Sequence, residues 1–315
     1  MKIVSISYPL TSEQRNDLGI PQIAAIGQFD GIHLGHASVI STAVDLAREE
    51  GIPSAVITFY PHPKDVMRKG NYEGYLTPQL DKQKLLADMG VDILYVVDFN
   101  EELSQVSPQD FVTEMLMPLQ LHTAVVGFDF RFGFKGAGRA DMLHELSGGT
   151  IQVVTVPPFL IDGEKVGSSS IRAALYNGQV SDATRWLGRY YRIRGTVIHG
   201  EKRGRALGFR TANLELEDHY VTPALGVYAV WARCNSNDDW LPGVMSVGLK
   251  PTFHDGIVKP IYEVHLLDFD GDLYGQTMVV DVVQFIRREL KFNSVDELIK
   301  GIRSDVDKTR EILAR

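Results

Sequence analysis

Cysteine and long apolar runs are nearly absent from this sequence. Cys234 is the only cysteine among 315 residues, which excludes an intrachain disulfide and a cysteine-based metal cluster. No apolar run reaches the length of a membrane span, and residues 1–10 lack the sustained apolar core of a signal peptide. We therefore predict a cytoplasmic protein that has no membrane partner.

An excess of basic charge is also absent. Asp and Glu number 40 against 32 Lys and Arg, for a formal net charge of −8. Nucleic-acid backbones select basic surfaces, so we expect no nucleic-acid partner, whereas a nucleotide needs only a locally positive pocket. The length and the 44% hydrophobic content are sufficient for two separate cores.

The most informative stretch, residues 27–36, reads G-Q-F-D-G-I-H-L-G-H. A short apolar segment precedes it at 21–26, and apolar residues at helical spacing follow over 38–50. The motif therefore lies at a strand-to-helix turn. Glycines there let the backbone approach a ligand, and the free N–H groups at the helix start attract negative charge.

Two histidines, His33 and His36, lie on either side of Gly35 in this motif. Imidazoles suit phosphate chemistry because they supply switchable charge where charge develops. The alternative is a helix cap or a metal site, but no third metal ligand stands nearby. The motif closely resembles that of the nucleotidyltransferase superfamily, and the resemblance implies catalytic roles for both histidines. It also implies that four motif residues contact ATP: Gly27, Phe29, Asp30 and Gly35.

Strand-like and helix-like segments alternate up to residue 187. The further predicted strands are 54–59, 92–98, 124–128 and 151–156, and the further predicted helices are 78–89, 108–117, 139–146 and 169–177. This alternation predicts an α/β, Rossmann-like domain over 1–187 whose parallel sheet binds ligands at the carboxyl ends of its strands. The histidine motif, His62 and the segment 127–129 fall at such ends and are expected to converge on one site.

The pattern changes at residue 190. Short β-branched and aromatic stretches separated by turns predict strands over 191–198, 226–233, 241–247, 261–267 and 277–285. Dense strands with no helix between them predict a closed antiparallel β-barrel, followed by a terminal helix over 294–313. We therefore predict a second domain over 188–315.

Two more segments of the first domain carry candidate binding residues. The segment 167–172 reads G-S-S-S-I-R. It predicts a helix start at which Ser168 and Arg172 suit a pyrophosphate group. The alternative is that the serine caps the helix and Arg172 forms a surface ion pair. The spacing of Ser168 and Arg172 resembles an element of adenylyltransferases. The segment 127–133 reads G-F-D-F-R-F-G. Gly127, Asp129 and Phe130 are candidates for contact with a nucleotide or a planar ring. Core packing is the alternative for the aromatic residues Phe130 and Phe132.

The stretch 200–214 reads G-E-K-R-G-R-A-L-G-F-R-T-A-N-L. Its glycine-rich, basic start suits triphosphate oxygens, with Gly204, Arg205 and Gly208 as candidates. Thr211 and Asn213 carry hard oxygen ligands of the kind that Mg²⁺ bound to ATP prefers. A flexible surface turn is the alternative.

This stretch closely resembles the signature of riboflavin kinases, and 247–253 (V-G-L-K-P-T-F) and 263–269 (E-V-H-L-L-D-F) match two further elements of that family. Together with the N-terminal motifs, the chain resembles the bacterial bifunctional riboflavin kinase/FMN adenylyltransferase family. The resemblance implies phosphorylation of riboflavin to FMN in the barrel. It also implies adenylylation of FMN to FAD in the first domain. The implied substrates are riboflavin, FMN and ATP, with Mg²⁺ as cofactor.

The same resemblance assigns roles to residues of the second domain. Glu263 becomes the general base for the riboflavin hydroxyl, although a strand glutamate paired with a lysine is the alternative. Arg287 and Phe292 match the segment that closes over the flavin, or else seat the last helix. His62 and Phe130 are assigned to the flavin of the first domain. Oligomeric state stays open.

Two other hypotheses compete with the bifunctional enzyme. One is an FMN adenylyltransferase whose C-terminal module binds flavin without phosphorylating it, and only Arg210 favours this hypothesis. The other is a non-catalytic flavin-binding or regulatory protein. It predicts the loss of at least one of four residues, all of which are present: His33, His36, Arg172 and Glu263.

Arg210 stands where the family signature has proline, and this departure generates a prediction. A proline would lock the backbone φ just before Thr211, so its loss is expected to loosen Thr211 and Asn213 and to weaken the kinase. Arg210→Pro should then raise kinase turnover, measured as FMN formed from riboflavin and ATP. An unchanged turnover would contradict the loosening. The alternative is that the Arg210 cation contacts ATP.

Overall fold

A computed structural model of the chain describes residues 1–67, 73–200, 209–234, 239–251 and 258–314. The chain divides into two compact units. The α/β unit is formed by Met1–Tyr72 and Thr77–Gly167, and the barrel unit by Glu73–Leu76 and Ser168–Arg315. This division follows packing, so the functional boundary at 187/188 stays a prediction.

The α/β unit is built around a six-stranded parallel sheet with strand order β1-β4-β3-β2-β5-β8. Two short antiparallel ribbons, β6 with β7 and β9 with β10, accompany it. The strands are β1 (Lys2–Ile6), β2 (Gln22–Ile26), β3 (Ser54–Tyr60), β4 (Ile93–Asp98), β5 (Leu121–Gly127), β6 (Arg131–Phe132), β7 (Gly138–Arg139), β8 (Gln152–Val156), β9 (Leu160–Ile161) and β10 (Glu164–Lys165). The predicted α/β class is confirmed, and the edge strand β1 is an addition to it.

Seven α-helices belong to the part of this unit that the structure describes. They are α1 (Ser12–Leu18), α2 (Leu34–Glu50), α3 (Pro63–Val66), α4 (Gln79–Asp88), α5 (Glu101–Ser104), α6 (Pro108–Phe111) and α7 (Ala140–Leu146). The predicted α-helix 108–117 is α-helical only over α6, and the prediction is wrong in helix type for the residues that follow. The chain there continues as a π-helix, Val112–Leu116, and a 3₁₀-helix, Met117–Leu119, which contains Pro118, a residue without an N–H for an α-helical ladder. A further 3₁₀ turn covers Phe134–Gly136.

Strand β2 lies in the middle of the sheet and is buried on both faces. Its alternate residues Ile23 and Ala25 face one apolar cluster, whereas Ala24 and Ile26 face another. Helix α2 covers the first cluster with Val39, Ile40, Ala43, Val44 and Ala47. The turn between β2 and α2 is therefore anchored at both ends in the core, at the carboxyl edge of the sheet.

The barrel unit contains a closed antiparallel barrel with strand order β11-β12-β15-β14-β13-β16, which confirms the predicted barrel. Its strands are β11 (Tyr191–Ile198), β12 (Ala212–Leu216), β13 (Gly226–Cys234), β14 (Leu241–Pro251), β15 (Val258–Leu266) and β16 (Thr277–Arg287). Its helices are α8 (Ser168–Tyr176), α9 (Val180–Leu187) and α10 (Val295–Leu313). No helix among the described residues is long and apolar enough to cross a bilayer.

Helix α10 is held on the barrel by a largely buried ion pair. The Arg287 guanidinium donates to both carboxylate oxygens of Asp305, at 2.9 and 2.7 Å. The side chains of Arg287 and Asp305 are 20% and 4% exposed. An apolar patch adds to this contact, where Val306 packs against Val227, Val244 and Leu267.

Removing one partner of that pair should destabilise the barrel unit. Asp305→Ala leaves the Arg287 charge without its partner in a poorly solvated place, which costs about 3 kcal/mol of unfolding free energy. The measurement is denaturant unfolding followed by tryptophan fluorescence, since all three tryptophans lie in this unit: Trp186, Trp231 and Trp240.

The matched control is Arg310→Ala. Arg310, also on α10, pairs with Asp268, but that pair is exposed, so its loss should change stability little. Equal destabilisation by the two substitutions would contradict a special role for the buried pair.

Candidate functional site

The turn between β2 and α2 brings His33 and His36 together. His33 is the N-cap of α2, and its Nδ1 accepts the backbone N–H of His36 at 3.2 Å. The two rings stack with centroids 3.7 Å apart, and Phe29 meets His36 edge to face at 5.4 Å. A nitrogen that accepts a hydrogen bond carries no proton, so His33 in this geometry is neutral with its proton on Nε2. His33 therefore caps the helix through Nδ1, and its donor nitrogen is Nε2.

The motif glycines make room for these rings. A Cβ on Gly35 would lie 3.2 Å from the His33 ring, and a Cβ on Gly27 would lie 3.0 Å from the Phe29 ring. Both approaches are tighter than a side chain tolerates without displacement of the ring. The structure thus gives the two glycines a packing role, and their contact with ATP stays a prediction.

Asp30 and Phe29, expected to contact ATP, are both only 3% exposed. The Asp30 carboxylate accepts the Thr77 N–H at 3.1 Å, so it braces the turn from inside the unit. Whether either residue also contacts ATP stays a prediction.

Lys82 is a site residue that the sequence reasoning missed. Its ammonium, on helix α4, donates to the Gln28 carbonyl at 2.9 Å and lies 3.4 Å from the Thr58 hydroxyl. Burial lowers the Lys82 pKa to about 8, against an opposing effect of the Asp30 charge. One signal was present in the sequence. Lys82 stands four residues before the buried Leu86, on the apolar side of the predicted helix 78–89.

The other predicted residues of the α/β unit follow neighbouring strands. The histidine turn follows β2, His62 follows β3 and Asp129 follows β5, and these strands are adjacent in the order β3-β2-β5. His62 Nδ1 accepts the Lys64 N–H at 3.1 Å and so caps α3. The structure therefore places the three motifs at the same edge of the sheet, as expected.

The segment after β5 divides into an exposed and a packed part. Asp129 pairs with Lys165 at 2.6 Å, and the Lys165 ammonium lies 4.4 Å above the exposed Phe128 ring. Phe132 is buried, and Phe130 stacks on it with centroids 5.6 Å apart. Core packing thus accounts for Phe132 and partly for Phe130. The flavin contact assigned to Phe130 stays a prediction.

Ser168 and Arg172 begin helix α8, in the barrel unit. The half-buried Arg172 guanidinium donates to the Gly74 carbonyl at 2.7 Å. Arg172 thereby ties the short segment Glu73–Leu76 to the barrel unit. Contacts of Ser168 and Arg172 with a nucleotide stay predictions.

The barrel carries three neighbouring cavities that share walls. One, of about 310 Å³, is lined by Thr211, Asn213 and Gly200. A second is lined by Thr211, Asn213 and Glu263. A third, of about 320 Å³, is lined by Thr211 and Glu263 together with Arg287 and Phe292. The structure therefore gathers the predicted kinase residues that it describes; Gly204, Arg205, Gly208 and the segment 252–253 lie outside the described residues.

Strand pairing fixes this arrangement. Asn213 on β12 lies opposite Glu263 on β15, and Glu263 in turn lies opposite Ser246 on β14. A Cβ on Gly200 would stand 2.2 Å from the Asn213 amide nitrogen, so only glycine leaves Asn213 its place. The hydroxyl and amide oxygens of Thr211 and Asn213 on one cavity wall fit a hard cation such as Mg²⁺. Within the described residues no group of three or more His, Cys, Asp or Glu could hold a metal, so such a cation needs phosphate oxygens as well.

Arg210 lacks the fixed φ of a proline, but two contacts hold its position. Its guanidinium pairs with Asp270, and its carbonyl lies 2.7 Å from His265 Nδ1. Arg287, assigned to the flavin, is engaged by Asp305 and lies 5.8 Å over the Phe292 ring. The kinase effect of Arg210 and the flavin contacts of Arg287 and Phe292 stay predictions.

The folds and sites define a class: a two-unit, nucleotide-dependent transferase. A family model of FAD synthetases matches residues 17–170, and a model of riboflavin kinases matches residues 187–313. A protein of Listeria monocytogenes named bifunctional riboflavin kinase/FMN adenylyltransferase is 40% identical over 100% of this chain and 99% of its own length. A protein of Bacillus subtilis with the same name is 40% identical over 97% of this chain and 96% of its own.

One solved structure is similar over nearly the whole chain. It is described as a macrolide-efflux protein of Streptococcus pneumoniae, and it covers 98% of this chain and 99% of its own with 32% identity and a TM-score of 0.87. From the family models and the curated relatives, the chain belongs to the bifunctional riboflavin kinase/FMN adenylyltransferase family.

The close approach at Gly200 yields a prediction that separates the two activities. Gly200→Ala pushes the new methyl group into Asn213, so riboflavin phosphorylation should fall by about tenfold or more. Steady-state kinetics on riboflavin and ATP measures this fall. FMN adenylylation by the same preparation is the internal control and should be unchanged. Normal kinase turnover in Gly200→Ala would contradict a dependence of riboflavin phosphorylation on the position of Asn213.

Proposed function

We propose that the α/β unit adenylylates FMN and that the barrel phosphorylates riboflavin, so that one chain makes FMN and then FAD. The observation that carries the kinase half is the shared cavity wall of Thr211, Asn213 and Glu263. The adenylyl-transfer half is carried by the stacked, helix-capping histidine pair at the carboxyl edge of the sheet. The proposed functional domains span 1–187 and 188–315.

In the barrel, Glu263 accepts the proton of the riboflavin 5′-hydroxyl as that oxygen attacks the γ-phosphorus of ATP. The new O–P bond forms while the bond to the β-phosphate oxygen breaks, leaving FMN and ADP. Thr211 and Asn213 would hold Mg²⁺, which neutralises charge on the phosphates when it is bound. The cavity with Arg287 and Phe292 is the proposed flavin side of this site.

In the α/β unit, a phosphate oxygen of FMN attacks the α-phosphorus of ATP and pyrophosphate leaves. His33 donates from Nε2 to the transferring group, because its Nδ1 is used by the helix cap. His36, stacked on it, supplies a second donor. Within the proposed functional domain 1–187, Ser168 and Arg172 take charge on the departing phosphates. No residue is needed as a covalent nucleophile. ATP contacts of Gly27, Phe29, Asp30, Gly35, Gly127 and Asp129, and a flavin contact of His62, belong to the same proposal.

An FMN adenylyltransferase with a non-catalytic flavin-binding barrel is the weaker candidate. The riboflavin kinase model matches the whole barrel, and the barrel retains Thr211, Asn213 and Glu263. Arg210 alone favours this candidate, and Arg210 is held by Asp270. The cytoplasmic location stays a prediction.

Two substitutions test the division between the sites. Glu263→Gln keeps the shape of the side chain but is a far weaker base, so FMN formation should fall by about 100-fold or more while FMN-to-FAD conversion persists. His36→Ala should do the opposite. Both activities are measured on each variant by chromatography of the flavins. Loss of both activities in either folded variant would contradict two separate sites.

A further inference from the structure

The turn that carries the histidines has an unusual backbone. Phe29 and Ile32 have φ of 47° and 36°, in the left-handed region that side chains with a Cβ avoid, and Gly31 between them has φ of 96°. Such conformations persist only where the surroundings hold them. His33 follows Ile32 directly, so whatever holds this turn also sets the position of the imidazoles.

The first hold acts on the middle of the turn. The Asp30 carboxylate is buried and accepts the backbone N–H of Thr77 at 3.1 Å. Thr77 lies just before helix α4 and within the α/β unit. This hydrogen bond therefore fixes Asp30, in the middle of the turn, to the segment that precedes α4.

The second hold acts on the start of the turn and comes from the same helix. Lys82 Nζ donates to the Gln28 carbonyl at 2.9 Å and lies 3.4 Å from Thr58 Oγ1. The Thr58 hydroxyl itself donates to the same Gln28 carbonyl at 2.9 Å. Lys82 is 2% exposed and Thr58 is fully buried. The ammonium thus joins the ends of β2 and β3 directly beside the turn.

Burial disfavours the charged ammonium and lowers the pKa of Lys82 to about 8, so the cost of burial offsets part of what its hydrogen bonds contribute to stability. Methionine would fill a similar volume without a charge. The Gln28 carbonyl would still accept the Thr58 hydroxyl, so no buried acceptor would be stranded.

We propose that Lys82 is a positioning residue for adenylyl transfer. Its ammonium, together with the Thr77 N–H, fixes the turn 28–32 and thereby the His33 and His36 rings, without itself contacting substrate. The inference rests on the proposed role of these histidines in the α/β unit.

The test compares Lys82→Met with the intact protein. We expect kcat for FMN adenylylation to fall by about ten- to a hundredfold, since small misplacement of a catalytic group costs rates of that order, while KM for FMN and ATP stays nearly constant. Riboflavin phosphorylation by the same preparation should be unchanged. Hydrogen exchange of β2 and β3 at pH 7 should show protection no weaker than in the intact protein.

A matched control and a gentler variant accompany it. Lys2→Met changes an exposed lysine of the same unit and should leave every measurement unchanged. Thr58→Val removes the hydroxyl that Lys82 and Gln28 share while keeping the buried shape, and it should lower the same kcat to a smaller extent. Thr58→Val carries the test if Lys82→Met does not fold.

NMR of the protein with labelled histidine gives a readout that simple destabilisation does not move. Lys82→Met should shift the ring signals of His33 and His36 and leave those of His144, which bonds the Ile151 carbonyl, in place. Unshifted His33 and His36 signals would overturn the proposal.

The kinetic outcomes separate the inference from the proposed site. If His36→Ala abolishes adenylylation but Lys82→Met, or Thr58→Val in its place, keeps kcat, the positioning role is wrong and the site stands. If His36→Ala keeps adenylylation, the proposed site itself fails, and the Lys82 inference fails with it. A fall in kcat accompanied by lost protection of β2 and β3 would make Lys82 a structural residue and overturn the proposal.

Discussion

The hydrogen bond from the His36 backbone N–H to His33 Nδ1 determines how the α/β unit presents its chemistry. It starts helix α2 at a fixed residue, it selects the His33 tautomer that donates from Nε2, and it brings the two imidazoles into a stack. Strand β2 and helix α2 both pack in the core, so the residues that form this hydrogen bond have little freedom to move. The turn between them has a positive φ at Phe29 and Ile32, and Thr77 and Lys82 hydrogen-bond to it at Asp30 and Gln28.

In the barrel, the register of the strands positions the proposed site residues. Closing six antiparallel strands fixes which residues stand opposite one another, and Asn213 therefore lies against Glu263. The polar groups that would handle a metal, a phosphate and a proton share one wall without a long flexible loop between them. In both units the side chains proposed for catalysis are carried on, or directly beside, regular elements of the core.

The sequence predicted the parallel sheet, the barrel and the main motifs because these depend on local periodicity and short signatures. It does not reveal contacts between residues that are far apart in the chain. Lys82 meets Gln28 and Thr58 only in the folded sheet, and Arg287 meets Asp305 only once the last helix docks. Spacing also does not reveal that a side chain on Gly27 would crowd the ring of Phe29, and the contact of Gly27 with ATP stays a prediction.

The central claim is that one chain performs both steps in sequence, and a product time course tests it most directly. Pure protein is incubated with riboflavin, ATP and Mg²⁺, and riboflavin, FMN and FAD are separated by chromatography. We expect FMN to form first and FAD then to accumulate from it. If FAD forms only when FMN is supplied, the barrel binds flavin without phosphorylating it, and the chain does not perform both steps.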